Sequence, residues 1–196
     1  MNKENYLQTF DELIVLTSPP VSSQKQPQLH PLKIGMEYAG GIIFDLDETG
    51  QHGLVCAPED QGDFEWGNLD LFYPYYPDIS GDGYLNTQRI LEYCDQRPIA
   101  ASVCSNLELN GFCDWYLPSI GELLKVIQSL NFNLNTHFGF GVRYWTSSPA
   151  LMFNDDPQCL SAWYLETSWE SDNHFNVWVG KNQSTNKNRV RAVRRF

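Results

Sequence analysis

Charged side chains are scarce in this sequence, and most of those present are acidic. Of 196 residues, 19% are charged, and 24 Asp and Glu outnumber 13 Lys and Arg, which gives a formal net charge of −11. Nucleic-acid affinity comes largely from cationic side chains that displace counterions from phosphates. The charge balance therefore argues against nucleic acid as a partner, and the length predicts a single buried core.

Long apolar runs and a cysteine framework are also missing. No segment approaches the roughly 20 apolar residues of a membrane span, and the N-terminus lacks the basic start and apolar stretch of a secretory signal. The 5 cysteines are odd in number and show neither CxxC nor Cys/His spacing. The sequence therefore predicts no membrane span, disulfide framework or zinc site, and it leaves the compartment open, including a virion or cell surface.

Aromatic residues are abundant, at 14% of the chain, and near the C-terminus they are interleaved with Asn, Ser and Asp. Antibody loops combine rigid aromatic rings and adaptable polar groups in the same way. We predict that loops of this region bind a protein or glycan ligand. The predicted ligand-binding residues are Asn154, Asp155, Tyr164, Glu166, Ser168, Trp169, Ser171, Asn173, His174, Asn176, Asn182 and Asn186. For Trp163 and Trp178 we favour a place on strands that fill the core.

The first 31 residues differ in pattern from the rest. Apolar residues recur at helical spacing from Asn5 to Leu16, which predicts a short amphipathic helix. Residues 17–31 have the Pro/Ser/Gln composition of a semi-extended linker. Because so short a helix is marginal alone, we expect it to attach the domain of residues 32–196 to a sister subunit or a larger assembly.

Residues 32–196 have the turn and helix signals of an α+β domain, for which we predict two helices. Gly40–Phe44 and His52–Cys56 are predicted to pair as an early hairpin. Helical spacing covers Thr87–Gln96, and Ile99–Leu107 continues it after a break at Pro98. The clearest helix start is the capping box of Ser119 and Glu122, ahead of an apolar run that ends at Leu130.

The remainder, residues 144–196, shows no helical period and is predicted to form short strands that carry long polar loops. Its end alternates Arg189, Arg191, Arg194 and Arg195 with Val190, Ala192 and Val193, which is typical of a last strand with one apolar face. An anion site at these arginines is the alternative.

Ordered motifs along the domain resemble a known family. In chain order they are Gly40-Gly41-Ile42-Ile43-Phe44, Gly50-Gln51-His52-Gly53-Leu54, Glu59-Asp60-Gln61-Gly62, Trp66-Gly67, Asn86-Thr87, Gly111, Asp114-Trp115-Tyr116-Leu117-Pro118-Ser119, Glu122-Leu123, Tyr144-Trp145-Thr146-Ser147-Ser148, Ala162-Trp163 and Val190-Arg191-Ala192-Val193-Arg194. The set resembles the carboxyl-terminal domain family of a bacterial collagen-like adhesin, whose fold is similar to a C-type lectin. The resemblance implies a non-enzymatic recognition domain on a surface or virion, often trimeric. Adhesins of this type bind sulfated polysaccharides, a ligand that the net charge of −11 disfavours.

The C-terminal region also resembles the variable proteins diversified by retroelements, which randomise adenine-rich codons. The matching positions are Ala162-Trp163, Asn173, Asn176, Asn182, Asn186, Asn188 and the closing Val190-Arg191-Ala192-Val193-Arg194. This resemblance implies a ligand surface that varies between strains.

Three alternatives stay open at this stage. A Ca²⁺ site could use oxygens of Asp45 and Asp47, or of Asp78, Asp82 and Asn86, although neither group matches an EF-hand loop. Formylglycine-generating enzymes have a related fold and use paired cysteines, which makes Cys104 and Cys113 the candidates for an oxidoreductase, although Cys113 is expected to be buried. The chain could also be a structural component of a phage or surface particle. His52 has no paired acid or nucleophile, so we expect no catalytic role for it.

Overall fold

The structure is a computed structural model, and it describes residues 31–67, 81–130, 141–150, 161–169, 175–183 and 185–196. The chain divides into two units, Met1–Pro31 and Leu32–Phe196. The predicted N-terminal helix and all of the linker except Pro31 lie outside the described residues.

Helices and strands both contribute to the second unit, as the α+β prediction requires. The elements are β1 Glu37–Tyr38, β2 Gly41–Leu46, β3 Gly53–Cys56, β4 Gly62–Glu65, α1 Gly83–Tyr93, α2 Ala100–Ser105, α3 Ile120–Leu130, β5 Arg143–Pro149, β6 Ser161–Trp169, β7 Phe175–Gln183, β8 Lys187–Val190 and β9 Val193–Arg195. The described strands form a four-stranded sheet of order β1-β2-β3-β9 and a five-stranded sheet of order β4-β8-β5-β6-β7. Within the described residues there are three helices, where the sequence predicted two.

The predicted early hairpin is confirmed, because β2 pairs antiparallel with β3. Its first strand begins at Gly41, one residue later than predicted. Ala39 and Gly40 have φ angles of 47° and 84°, so they form the two-residue turn between β1 and β2. Two successive left-handed residues are the geometry that suits the twist of a tight hairpin.

Helix starts follow their capping groups. The Asp82 side chain accepts the Leu85 N–H at 3.2 Å, and this cap starts α1 at Gly83, four residues before the predicted start at Thr87. The capping box of α3 is confirmed: the Ser119 hydroxyl accepts the Glu122 N–H at 3.2 Å, and the Glu122 carboxylate accepts the Ser119 N–H at 2.8 Å.

The prediction of short strands with long loops is wrong for β6 and β7. Each has nine residues. The two strands pair antiparallel along their whole length, with Ser161 opposite Gln183 at one end and Trp169 opposite Phe175 at the other. The physical reason is that a continuous ladder satisfies the backbone groups of both segments, while Asn and Ser side chains are tolerated on a strand. The closing strands β8 and β9 are short, with four and three residues.

The core has two parts, which meet at the sheets. One surrounds Trp66, Trp115 and Trp145, and the other packs α3 against Phe44, Tyr116, Tyr144 and Leu165. The Trp66 indole donates to the Thr146 carbonyl at 2.7 Å, and the Trp145 indole donates to the Phe64 carbonyl at 2.9 Å. These hydrogen bonds satisfy the polar atoms of two fully buried rings and fix β5 against the segment that contains β4.

The chain crosses from one sheet to the other between β8 and β9, at Arg191 and Ala192. The single last strand predicted for residues 189–195 is therefore wrong. Arg191 is only 2% exposed, and its guanidinium donates to Asp60 Oδ1 at 2.6 Å and to the carbonyls of Ala57 and Pro58 at 3.0 and 3.1 Å. The Asp60 carboxylate and these two backbone carbonyls compensate for the burial of the Arg191 charge.

The neighbouring arginines are paired as well. Arg189 contacts Asp63 at 2.7 Å and Asp60 at 3.0 Å, Arg194 contacts Asp114 at 2.6 Å, and Arg195 contacts Asp82 at 2.7 Å. The hydrogen bond from Arg194 holds the pKa of Asp114 below its ordinary value. The guanidinium groups of this segment thus bind the protein's own carboxylates, which argues against an anion site there.

We predict that Arg191→Met lowers the free energy of unfolding by about 3 kcal/mol, because the nearly buried Asp60 carboxylate loses one of its two arginine partners. Lys125→Met is the matched control, since its ion pair with Asp45 has side chains 56% and 32% exposed and should contribute about 0–1 kcal/mol. Urea unfolding at neutral pH measures both. Equal losses of unfolding free energy in the two variants would contradict the structural role of Arg191.

Glu122 lies where α1, α3 and the C-terminus meet. Its carboxylate accepts the Tyr116 hydroxyl at 3.0 Å as well as the Ser119 N–H, and a Cβ on Gly83 would come within 2.2 Å of it. Burial raises the pKa of Glu122 and outweighs these hydrogen bonds.

A raised folded-state pKa means that the folded protein binds this proton more tightly than the unfolded chain. The stability that this tighter proton binding contributes is fully present below the ordinary Glu pKa of 4.5, and it is lost as pH rises through the folded-state pKa. Glu122→Gln lacks this loss, so its stability relative to the wild type should increase with pH. Urea unfolding between about pH 4 and 8 tests this, and a relative stability that falls or stays constant across the series would refute it.

Candidate functional site

A polar groove of about 560 Å³ opens on the five-stranded sheet, where β5 and β8 begin. Its polar lining includes Asp63, Arg143, Glu166, Asn186, Lys187 and Arg189. These side chains come from β4, β5, β6 and β8 and from the turn before β8. We call this feature the sheet-end groove.

Arg143 is held on two sides at the rim of the sheet-end groove. Its Nε donates to Glu166 Oε2 at 2.9 Å, and its guanidinium carbon lies 4.9 Å from the centroid of the Tyr164 ring. The hydrogen bond to Glu166 raises the pKa of Arg143. Tyr164 lies over Gly180 of the neighbouring strand, where a Cβ would come within 2.5 Å of the ring. Packing against Gly180 therefore fixes the Tyr164 ring. This ring and the Glu166 carboxylate together orient the Arg143 guanidinium.

The opposite wall is fixed by Arg189, which bridges Asp60 and Asp63. Between the walls Lys187 is exposed, and it has no ion-pair partner among the described residues. The sheet-end groove thus places three cationic groups, two carboxylates and the Asn186 amide around one concavity. Such a set can hold a polar ligand by directional hydrogen bonds and charge.

The structure brings together only part of the predicted ligand-binding set. Glu166 and Asn186 line the sheet-end groove, and Tyr164 contacts its Arg143. Ser168 and Trp169 belong to β6, and Asn176 and Asn182 belong to β7. Asn154, Asp155, Ser171, Asn173 and His174 lie outside the described residues, as does Asp78 of the suggested calcium ligands.

The predicted loop location is wrong for six residues that are paired within β6 and β7: Tyr164, Glu166, Ser168, Trp169, Asn176 and Asn182. Sequence reasoning also missed Asp63, Arg143 and Lys187 as groove residues. The polar run Asn186-Lys187-Asn188-Arg189 was a usable signal for Lys187. Arg143 and Asp63 had no such signal, since strand pairing alone brings them beside β6 and β8.

The cysteine pair suggested for an oxidoreductase is split between two environments. Cys104 is fully buried, and burial raises the pKa of its thiol. Cys113 is exposed, so its predicted burial is wrong. The reason is that Phe112 packs inward at this turn, where Arg194 stacks on its ring at 3.9 Å.

Internal contacts also account for the described residues suggested as calcium ligands. Asp45 pairs with Lys125 at 2.6 Å, and Asp82 caps α1 and pairs with Arg195. Asp47 accepts the Thr49 hydroxyl at 2.7 Å and backbone N–H groups of its own turn, which stabilises the hairpin loop. Buried Asn86 donates to the Ser147 hydroxyl at 3.4 Å. His52 lies exposed in the loop beside Asp47. Within the described ranges no cluster of three or more His, Cys, Asp or Glu side chains could hold a metal ion.

No protein-family model matches the chain, and no curated protein matches it. In the part of the chain that the structure describes, no helix has the length and apolar character needed to cross a bilayer.

Thiol accessibility provides a direct test of the cysteine environments. We predict that iodoacetamide alkylates Cys113 in the folded protein at an ordinary rate, and Cys56, Cys94 and Cys104 only after denaturation, because burial shields those three. Peptide mass mapping identifies the labelled sites, with Cys113→Ser as the control. Rapid labelling of Cys104 in the native state would support the oxidoreductase hypothesis instead.

Proposed function

We propose that residues 32–196 form a C-type-lectin-like recognition domain that binds a protein or glycan ligand through the sheet-end groove, without catalysis. The observation that carries the proposal is the convergence of Arg143, Lys187, Glu166 and Asn186 on one open concavity. Charged and amide side chains around a concavity can orient a polar ligand by charge-assisted hydrogen bonds. The return of β9 to the early hairpin is compatible with a C-type-lectin-like arrangement.

The rigidity of the walls of the sheet-end groove supports the binding proposal. Arg143 is oriented by Glu166 and Tyr164, and Arg189 by Asp60 and Asp63, so few rotamers have to be frozen when a ligand binds. The wall residues belong to strands, which hold polar groups more precisely than loops. The described residues that line the groove include no cysteine, serine or histidine, and its carboxylates, Glu166 and Asp63, are paired with Arg143 and Arg189, which favours binding over catalysis.

The test is a binding screen of the full chain, with residues 1–31 retained, on arrays of glycans and proteins. For any array component that binds, we predict that Arg143→Ala and Lys187→Ala each weaken binding about tenfold or more, because both remove charge-assisted contacts from the groove. Affinities are measured by surface plasmon resonance.

Lys125→Ala is the matched control, since it removes one exposed cation on α3 and should leave affinity unchanged. Melting temperatures of the groove variants should stay close to the wild type, because Lys187 is exposed and the Arg143 side chain is 50% exposed. Binding that survives both groove substitutions would place the ligand elsewhere and contradict the proposal.

A further inference from the structure

Gly180 lies in the interior of the nine-residue strand β7, where a glycine is unfavourable. A glycine within a strand loses more backbone entropy on folding than any other residue, and it brings no side chain to pack. The backbone does not require a glycine here, because the φ angle of Gly180 lies outside the left-handed region. The reason for a glycine at this position therefore lies in the space next to it.

The space next to Gly180 is filled by the ring of Tyr164. The two residues are paired across β6 and β7, so their side-chain positions share one face of the sheet. A Cβ at residue 180 would come within 2.5 Å of both Cζ and Oη of Tyr164, and within 2.9 Å of its Cε1. Such short contacts are not tolerated in a packed protein, so any side chain at residue 180 has to displace the ring.

The Tyr164 ring in turn contacts a cation of the sheet-end groove. The guanidinium carbon of Arg143 lies 4.9 Å from the ring centroid, and its Nε donates to Glu166 at 2.9 Å. Arg143 and Glu166 line the groove, whereas Tyr164 and Gly180 do not. The Arg143 side chain is 50% exposed, so displacement of the ring would leave the Glu166 hydrogen bond as the remaining one of these two restraints.

We infer that Gly180 is a positioning residue of the sheet-end groove, because it keeps open the space in which the Tyr164 ring holds the Arg143 guanidinium. Gly180 thereby sets the spacing between Arg143 and Lys187, which a polar or charged ligand has to match. The effect of Gly180 on ligand selectivity rests on the function proposed above, whereas its effect on the position of Arg143 does not.

A purely stabilising role would produce the same packing, since an aromatic ring over a strand glycine compensates for the missing side chain. The two roles differ in the response of Arg143. If the contact only stabilises the sheet, Gly180→Ala lowers the melting temperature and leaves the Arg143 guanidinium as it is. If Gly180 positions Arg143, the same substitution changes the guanidinium, and the change depends on the Tyr164 ring.

The experiment follows the Nε–H signal of Arg143 by proton–nitrogen NMR of the full chain without ligand, with Arg143→Lys to assign it. We expect Gly180→Ala to shift this signal and to make its exchange with water about threefold faster, because the guanidinium loses an interaction of cation–π strength. The Nε–H of Arg189, which donates to Asp63 at 2.7 Å, is the internal control and should not change. Val179→Ala is the matched control, since the exposed Val179 leaves the opposite face of β7.

A double-mutant cycle shows whether the effect passes through the ring. Tyr164→Leu should by itself shift the Arg143 signal, and Gly180→Ala should add no further shift in the Tyr164→Leu background. Leucine lacks the ring atoms that a Cβ at residue 180 would meet, so the double variant remains testable even if Gly180→Ala alone unfolds. Additive shifts, an unchanged Arg143 signal in Tyr164→Leu, or equal shifts in Val179→Ala and Gly180→Ala would overturn the inference.

Affinity measurements separate this inference from the proposed function. For any array component that binds the wild type, Gly180→Ala should weaken binding about threefold although residue 180 does not line the groove, and Val179→Ala should leave affinity unchanged. A shifted Arg143 signal with unchanged affinity would support the positioning role and contradict ligand binding in the sheet-end groove. An unchanged Arg143 signal in Gly180→Ala would refute the positioning role, whatever the affinity.

Discussion

The architecture depends on the buried ion pair between Arg191 and Asp60, which lies where the chain passes from the five-stranded sheet to the four-stranded sheet. An almost fully buried guanidinium is stable only with a carboxylate and with acceptors for its remaining donors, and Asp60 and the carbonyls of Ala57 and Pro58 supply both. These acceptors all precede β4 in the chain. The pair therefore ties the closing segment to the segment that joins β3 and β4, and so ties the two sheets together.

Backbone hydrogen bonds complete the same crossing. Val193 and Tyr116 exchange N–H and carbonyl contacts at 2.9 and 3.0 Å, and the Ala192 N–H donates to the Gln61 side chain at 2.6 Å. The last residues thus serve as a central connection between both sheets and the start of α3. This position explains why a segment at the end of the chain is among its most buried parts.

The same arginine cluster supports the sheet-end groove and the early strands. Arg189 forms one wall of the sheet-end groove through Asp60 and Asp63, and Arg194 holds the Ala39 turn that joins β1 to β2. Both features consequently rest on parts of the fold that are fixed by ion pairs.

Features that depend on interactions between neighbours in the chain could be predicted from the sequence. Turn residues and apolar alternation predicted the β2–β3 hairpin, and Ser119 with Glu122 predicted the start of α3, because capping and hairpin formation involve neighbours in the chain. The interleaved polar and aromatic residues predicted Tyr164, Glu166 and Asn186 as ligand-binding residues, although Tyr164 and Glu166 belong to a strand and not to a loop. The partners of the arginines in residues 189–195, and the distant residues that join Glu166 in a groove, depend on tertiary contacts. Asp60 and Arg191 are 131 positions apart, and Arg143 and Glu166 are 23 apart. Such partners are chosen by sheet pairing and burial, which no local pattern encodes.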